Sequence, residues 1–125
     1  MKTATLFFFL CAVLGVGIAV APQLDAKVPN QQVVAAYFPR TVVFANVLLT
    51  GDYLIVHDDD NADRGDACLF VYRKAGDAPI VAVHCTRVLR EKADTFRVVT
   101  RQLAAGVKEI QEVQFAGTSV AHRLF

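Results

Sequence analysis

Cys68-Leu69-Phe70-Val71-Tyr72-Arg73-Lys74-Ala75-Gly76-Asp77-Ala78-Pro79-Ile80-Val81-Ala82-Val83-His84-Cys85 reads as a β-hairpin with a defined register. Two apolar runs flank Gly76-Asp77, a two-residue turn signal with glycine at the first central position, as a type II′ turn requires. Outward from that turn, hydrogen-bonded and non-hydrogen-bonded pairs alternate. Pro79, which has no N–H to donate, falls at a non-hydrogen-bonded site. Cys68 falls directly opposite Cys85 at another such site, where Cα atoms lie roughly 4.5 Å apart and a disulfide can form. On this register Phe70, Tyr72, Val81 and Val83 share the cysteine face. Leu69, Val71, Arg73, Ile80, Ala82 and His84 lie on the other.

The N-terminus is of a different kind. Lys2 precedes an uncharged apolar run, Thr5 to Ala21, and Leu24-Asp25-Ala26 then offers a cleavage site before Lys27. Residues 1–26 read as a secretory signal peptide, and 27–125 as a single β-domain. Cleavage after Ala21 is the other option and would leave Pro22 first. An uncleaved membrane anchor is the alternative to cleavage, although the apolar run is short against the roughly 20 residues of a span. Cys11 lacks the small preceding residue of a lipoprotein signal, since Phe9-Leu10 stand there. Removal of the signal leaves Cys68 and Cys85, with no Cys-x-x-Cys, which is the disulfide pattern of a periplasmic or extracellular domain. The formal net charge of +1 supplies no footprint for nucleic acid. Contact with a membrane is expected only through the N-terminal segment, if that is retained.

Short strand-like segments with turn signals between them fill the remainder. Val33 to Phe38 is a strand or helical turn ended by Pro39. Thr41 to Leu49 reads as a buried strand, Thr50-Gly51-Asp52 as a turn, and Tyr53 to His57 as the next strand. Thr86 to Asp94 is charged and irregular. Thr95 to Arg101 alternates with Phe96 and Val98 inward. Ala104-Ala105-Gly106 turns the chain into Val107 to Phe115, where Ile110 and Val113 break the period of two and predict a β-bulge. Ala116-Gly117 turns it again into Thr118 to Leu124. Seven or eight such strands predict an all-β fold, a small antiparallel β-sandwich or barrel.

Asp58 to Asp66 is an acidic loop in which Asp59, Asn61 and Asp63 carry oxygen ligands at alternate positions, a spacing that suits calcium. The EF-hand pattern fails, because Gly65 comes one place late and Phe70 stands where the bidentate Glu belongs. The plainer reading is a solvated connection in which His57 pairs with an acid. His57, His84 and His122 are the candidate imidazole ligands for zinc or copper, but no His-x-His or His-x-x-x-His spacing joins them. His122 shares a strand face with Val120 and Leu124, which suits a core histidine. Ser119 is in no Gly-x-Ser-x-Gly elbow. Glu109 and Glu112 face opposite ways along a strand unless a bulge intervenes, so no catalytic residue is nominated.

Gly51-Asp52-Tyr53, His57-Asp58-Asp59, Cys68, His84-Cys85 and Glu112-Val113-Gln114-Phe115-Ala116-Gly117 before Ala121-His122 form a pattern. In it the chain resembles a type of short, functionally uncharacterised exported bacterial protein with a single disulfide-stapled β-domain. The resemblance runs from about residue 40 onward and implies an exported β-domain, with no activity attached. The expectation is therefore a non-catalytic binding or structural module of the bacterial envelope or exterior, without a cofactor, whose partner is a protein or envelope polymer. The alternative is an exported domain that binds calcium or a transition metal such as zinc.

Overall fold

The computed structural model describes residues 30–125. The segment read as signal or anchor, with Cys11, lies outside them. Strands β1 (Gln31–Phe44) and β2 (Val47–Asp58) form a long hairpin. A single-turn helix α1 (Asp59–Asp63) leads to β3 (Leu69–Tyr72), β4 (Val81–Val83) and β5 (Cys85–Leu89). Strand β6 (Arg97–Gln102), a 3₁₀ turn at Ala104–Gly106, β7 (Lys108–Gln114) and β8 (Val120–Leu124) complete the chain. The class is all-β, as expected, and the architecture is a nearly closed barrel of one mixed sheet.

The first hairpin turns where a strand was expected. Ala45 (φ +50°) and Asn46 (φ +69°) are its two central residues. Positive φ at both is the type I′ geometry, whose twist matches that of the flanking strands. Thr50-Gly51-Asp52, expected to turn, instead lies within β2. There β1 bulges between Phe38 and Val42, so that Pro39, with no N–H to donate, falls outside the ladder. Gly51 (φ +98°) lets β2 follow the bend. The Tyr53 hydroxyl accepts from the Thr50 N–H at 3.1 Å and donates to the Thr50 carbonyl at 3.0 Å, satisfying the interrupted backbone.

The β3–β4 hairpin forms one residue out of the expected register. Leu69 pairs with Val83, Phe70 with Ala82 and Val71 with Val81. The turn is closed by Asp77 N–H donating to Lys74 C=O at 3.3 Å, which puts Gly76 (φ +89°) at the third position of the turn rather than the second. A slip of one residue turns one strand over relative to its partner, so that Leu69 and Val71, not Phe70 and Tyr72, share a face with Val81 and Val83. Leu69, Val71 and Val81 are therefore the buried residues, and Phe70 and Tyr72 are only half-buried. The Cys68–Cys85 disulfide forms all the same, with its Cα atoms 6.3 Å apart.

It forms because Cys85 has left the hairpin. The sheet runs β4-β3-β2-β1-β7-β8-β5, so its two ends, β4 and β5, are consecutive in the chain and separated only by His84. Val81–Leu89 is one bent segment that pairs with β3 on one side of the corner and with β8 on the other. At the corner Cys68 N–H donates to Val83 C=O (3.1 Å) and Phe125 N–H to His84 C=O (3.3 Å). The disulfide crosses the same seam.

Strand β7 is the second organising element. Lys108–Ile110 pair in parallel with Val42–Phe44, and Glu112–Gln114 pair antiparallel with Ala121–Arg123. β6 pairs along both halves, so β1 and β8 divide the remaining edge of β7 between them. The expected bulge is present at Gln111, opposite the Val99–Thr100 step. Val98, expected inward, is 38% exposed because β6 lies on the outer edge of the barrel. Phe96 does pack inward, its ring 5.4 Å from that of Phe115. Phe44, Leu49, Ile55, Leu69, Val71 and Val113 form the centre of the core.

Cys68→Ala is expected to lower unfolding free energy by about 3 kcal/mol, the chain-entropy scale for a loop of this length, as read from urea melts. Ala105, exposed in the 3₁₀ turn at φ +60°, pays the left-handed penalty that Asn tolerates. Ala105→Asn is expected to raise the urea midpoint by up to about 1 kcal/mol of stability.

Candidate functional site

The alternation that buries Tyr53 and Ile55 also turns His57 into the barrel. His122, on β8, lies opposite Val113 of β7 and Arg87 of β5. The two imidazoles meet inside, with ring centroids 3.6 Å apart and planes inclined by 20°, and the Phe115 ring sits edge-on to His122 at 6.2 Å. His57 is 0% and His122 1% exposed. None of their four ring nitrogens has a hydrogen-bond partner among the described residues. Asp59 Oδ1 lies 3.2 Å from His57 Nδ1 but off the axis that a hydrogen bond needs.

A neutral imidazole has one donor and one acceptor nitrogen. A buried polar atom left unpaired costs on the order of 1–3 kcal/mol. Two adjacent histidines with no partner at any nitrogen are thus an expensive arrangement inside the barrel. Burial, reinforced by the Arg87 charge, holds the His57 pKa down at about 4 against the opposing pull of Asp58. Burial and the neighbouring His57 likewise hold His122 at about 4. Both rings are neutral at pH 7, with lone pairs free.

Over the pair opens a depression of about 370 Å³ lined by Asp59, Asp60, Asp63, Arg87, Thr118 and His122, among others. Helix α1 builds its rim. Asp58 caps the helix by accepting the Asn61 N–H at 3.0 Å, and that bond, helped by the Gln31 side chain, keeps its carboxyl below the usual range. Arg87 reaches across to Asp63 at 2.9 Å and to Asp59 at 3.9 Å. Carboxylates outnumber the one cation over the histidines. Cys85 also approaches the pair: its sulfur and one ligand atom from each of His57 and His122 lie within 4.8 Å of one another. A larger depression of about 560 Å³ lies elsewhere, lined by Arg90, Glu112 and Arg123. Its charges satisfy one another, Glu112 accepting two hydrogen bonds from Arg90 at 2.8 and 3.0 Å.

Of the residues nominated from sequence, the fold gathers His57, Asp59 and His122. Asn61 diverges from them, because residues 59–63 are helical and a step of two turns a side chain by about 200°, whereas a step of four returns Asp63 to the face of Asp59, on the rim of the same depression. Asn61 donates to Ala67 C=O at 3.0 Å and Asp63 pairs with Arg87. His84 is exposed at the barrel corner. Arg87 and Cys85 were not foreseen as part of the cluster, since Thr86 to Asp94 read as irregular and Cys85 as a hairpin residue. The inward phase of Tyr53-Ile55-His57 was the available signal for a buried His57.

Fold and cluster together define a small stapled β-barrel domain with a buried imidazole pair beneath an acidic rim. Comparison of the chain with protein-family models, curated proteins and solved structures finds no match.

The pair predicts a pH dependence. Each histidine titrates near 6.5 unfolded and at about 4 folded, so between those values the unfolded chain holds protons that the folded chain refuses. Stability is expected to fall as pH drops from 6.5 to 4 and to level off below, as read from thermal melts. His122→Leu should flatten much of that slope.

Proposed function

We propose that the chain is an exported, non-catalytic binding domain whose ligand is a transition-metal ion held by His57 and His122. The observation that carries this is the buried imidazole pair without a hydrogen-bond partner on any ring nitrogen. Neutral imidazole is the metal-binding form of histidine, and it suits zinc or copper rather than calcium, which takes oxygen ligands. Asp59 Oδ1, 3.2 Å from Nδ1 of His57, adds negative charge beside the pair. The acidic rim attracts a cation to the site. The apolar N-terminal run and the disulfide support export to an oxidising compartment. A second reading, a module that docks a protein or envelope polymer, is favoured by β1. Its Gln31–Phe38 stretch pairs with β2 on one edge and with no other strand among the described residues, and Tyr37 there is 65% exposed.

Zinc or copper(II) titrated into the protein is expected to raise the thermal midpoint at one ion per chain. The linkage scale is about 2.7 kcal/mol at a hundredfold excess over Kd. His57→Leu and His122→Leu should abolish that response while leaving the ion-free protein as stable or more so, because each removes unpaired polar atoms. No shift with either ion at millimolar concentration, in oxidised and in reduced protein, would exclude the metal reading. So would a shift produced by calcium alone.

A further inference from the structure

We propose that the Cys68–Cys85 disulfide gates this metal site: its reduction frees Cys85 Sγ to become a third ligand beside His57 and His122. The inference rests on the imidazole reading above and adds to it a ligand and a redox control.

The two cysteines of the bond are not equivalent. Cys85 lies with both imidazoles, the three donor atoms within 4.8 Å of one another. Cys68, 1% exposed, has its sulfur 4.0 Å from the carbonyl oxygens of Val83 and of Cys85, against the backbone of the seam. Donors around a tetrahedral zinc are about 3.3–3.6 Å apart, from bond lengths of about 2.0–2.1 Å to nitrogen and 2.3 Å to sulfur. The cluster must therefore contract by about an ångström, a movement within reach of side-chain rotation. In the disulfide, Cys85 Sγ is tied to Cys68 and carries no charge. As a free thiolate it can turn and is the softest donor in the cluster.

The steps balance. A dithiol reductant delivers two electrons and two protons, is itself oxidised to a disulfide, and leaves Cys68 and Cys85 as thiols. The ion then forms a bond to Cys85 Sγ and displaces its proton to solvent, while the imidazoles, already neutral, bind through lone pairs. A disulfide oxidant reverses the sequence, taking up two electrons, re-forming the Cys68–Cys85 bond and expelling the ion. The seam keeps its backbone bonds, Cys68 N–H to Val83 C=O and Phe125 N–H to His84 C=O, when the covalent bond opens. Charges facing the site are Asp59, Asp60 and Asp63 against Arg87, so the rim accommodates a divalent ion and one thiolate.

Cobalt(II), a spectroscopic substitute for zinc, tests this in the full chain as oxidised protein, phosphine-reduced protein, Cys68→Ser and Cys85→Ser. Both variants lose the same crosslink, but only Cys68→Ser keeps the Cys85 thiol. Reduced wild type and Cys68→Ser are expected to show a thiolate-to-cobalt charge-transfer band and to bind roughly tenfold or more tighter than the oxidised protein. Cys85→Ser should bind like the oxidised protein and lack the band. Equal affinity in Cys68→Ser and Cys85→Ser, or binding by reduced wild type with no such band, overturns the gate and leaves the histidine reading intact. Absence of binding in every form overturns both. If a variant fails to fold, the band in reduced wild type decides.

Discussion

The barrel depends on the corner at His84. One chain segment, Val81–Leu89, serves as an edge partner to β3 before the corner and to β8 after it, so the two ends of the sheet are joined by a peptide bond rather than by packing. A closed sheet leaves few free edges and excludes water from its interior. The disulfide fixes the corner by tying the residue before β3 to the first residue of β5. The inward alternation of β2, β3, β7 and β8 becomes a core only because this seam holds them in a ring.

That closure is also what makes the histidine pair unusual. In an open site, His57 and His122 would find water. Inside the ring they lie against each other, Phe115, the edge of a carboxylate and Cys85 Sγ. Apolar side chains of similar volume would suit these positions better on packing grounds alone. A local choice that works against the stability of its surroundings is what the proposed metal-binding role would account for. The contrast with Glu112 is instructive, since that buried carboxylate is fully engaged by Arg90 and lies near Arg123 and behaves as structure.

Much of the architecture was legible because it is local. The all-β class and the bulge beside Gln111 follow from periods and turn residues a few residues long, whereas the Cys68–Cys85 bond was expected from a hairpin register that the fold does not adopt, and forms across the corner instead. The β3–β4 register was misjudged because Gly76 satisfies two turn geometries, and only the packing of Leu69 and Val71 against the core chooses between them. The first turn was misplaced because Ala45-Asn46 is a weaker turn signal than Thr50-Gly51-Asp52. Gly51 is explained by a bulge on the neighbouring strand, which no local pattern reveals. The imidazole pair joins β2 to β8 across 65 residues of chain and became visible only once the ring had closed.

The parallel contact between β1 and β7 has a kinetic consequence. Val42–Phe44 must wait for Lys108–Ile110, and β5 must wait for β8. A polypeptide emerging from its N-terminus can form the first hairpin early, but it cannot complete the ring until β8 is free. Long-range pairings of this kind slow folding and make it wait for the later strands. Until then the chain remains a set of unjoined hairpins whose free edges await their partners.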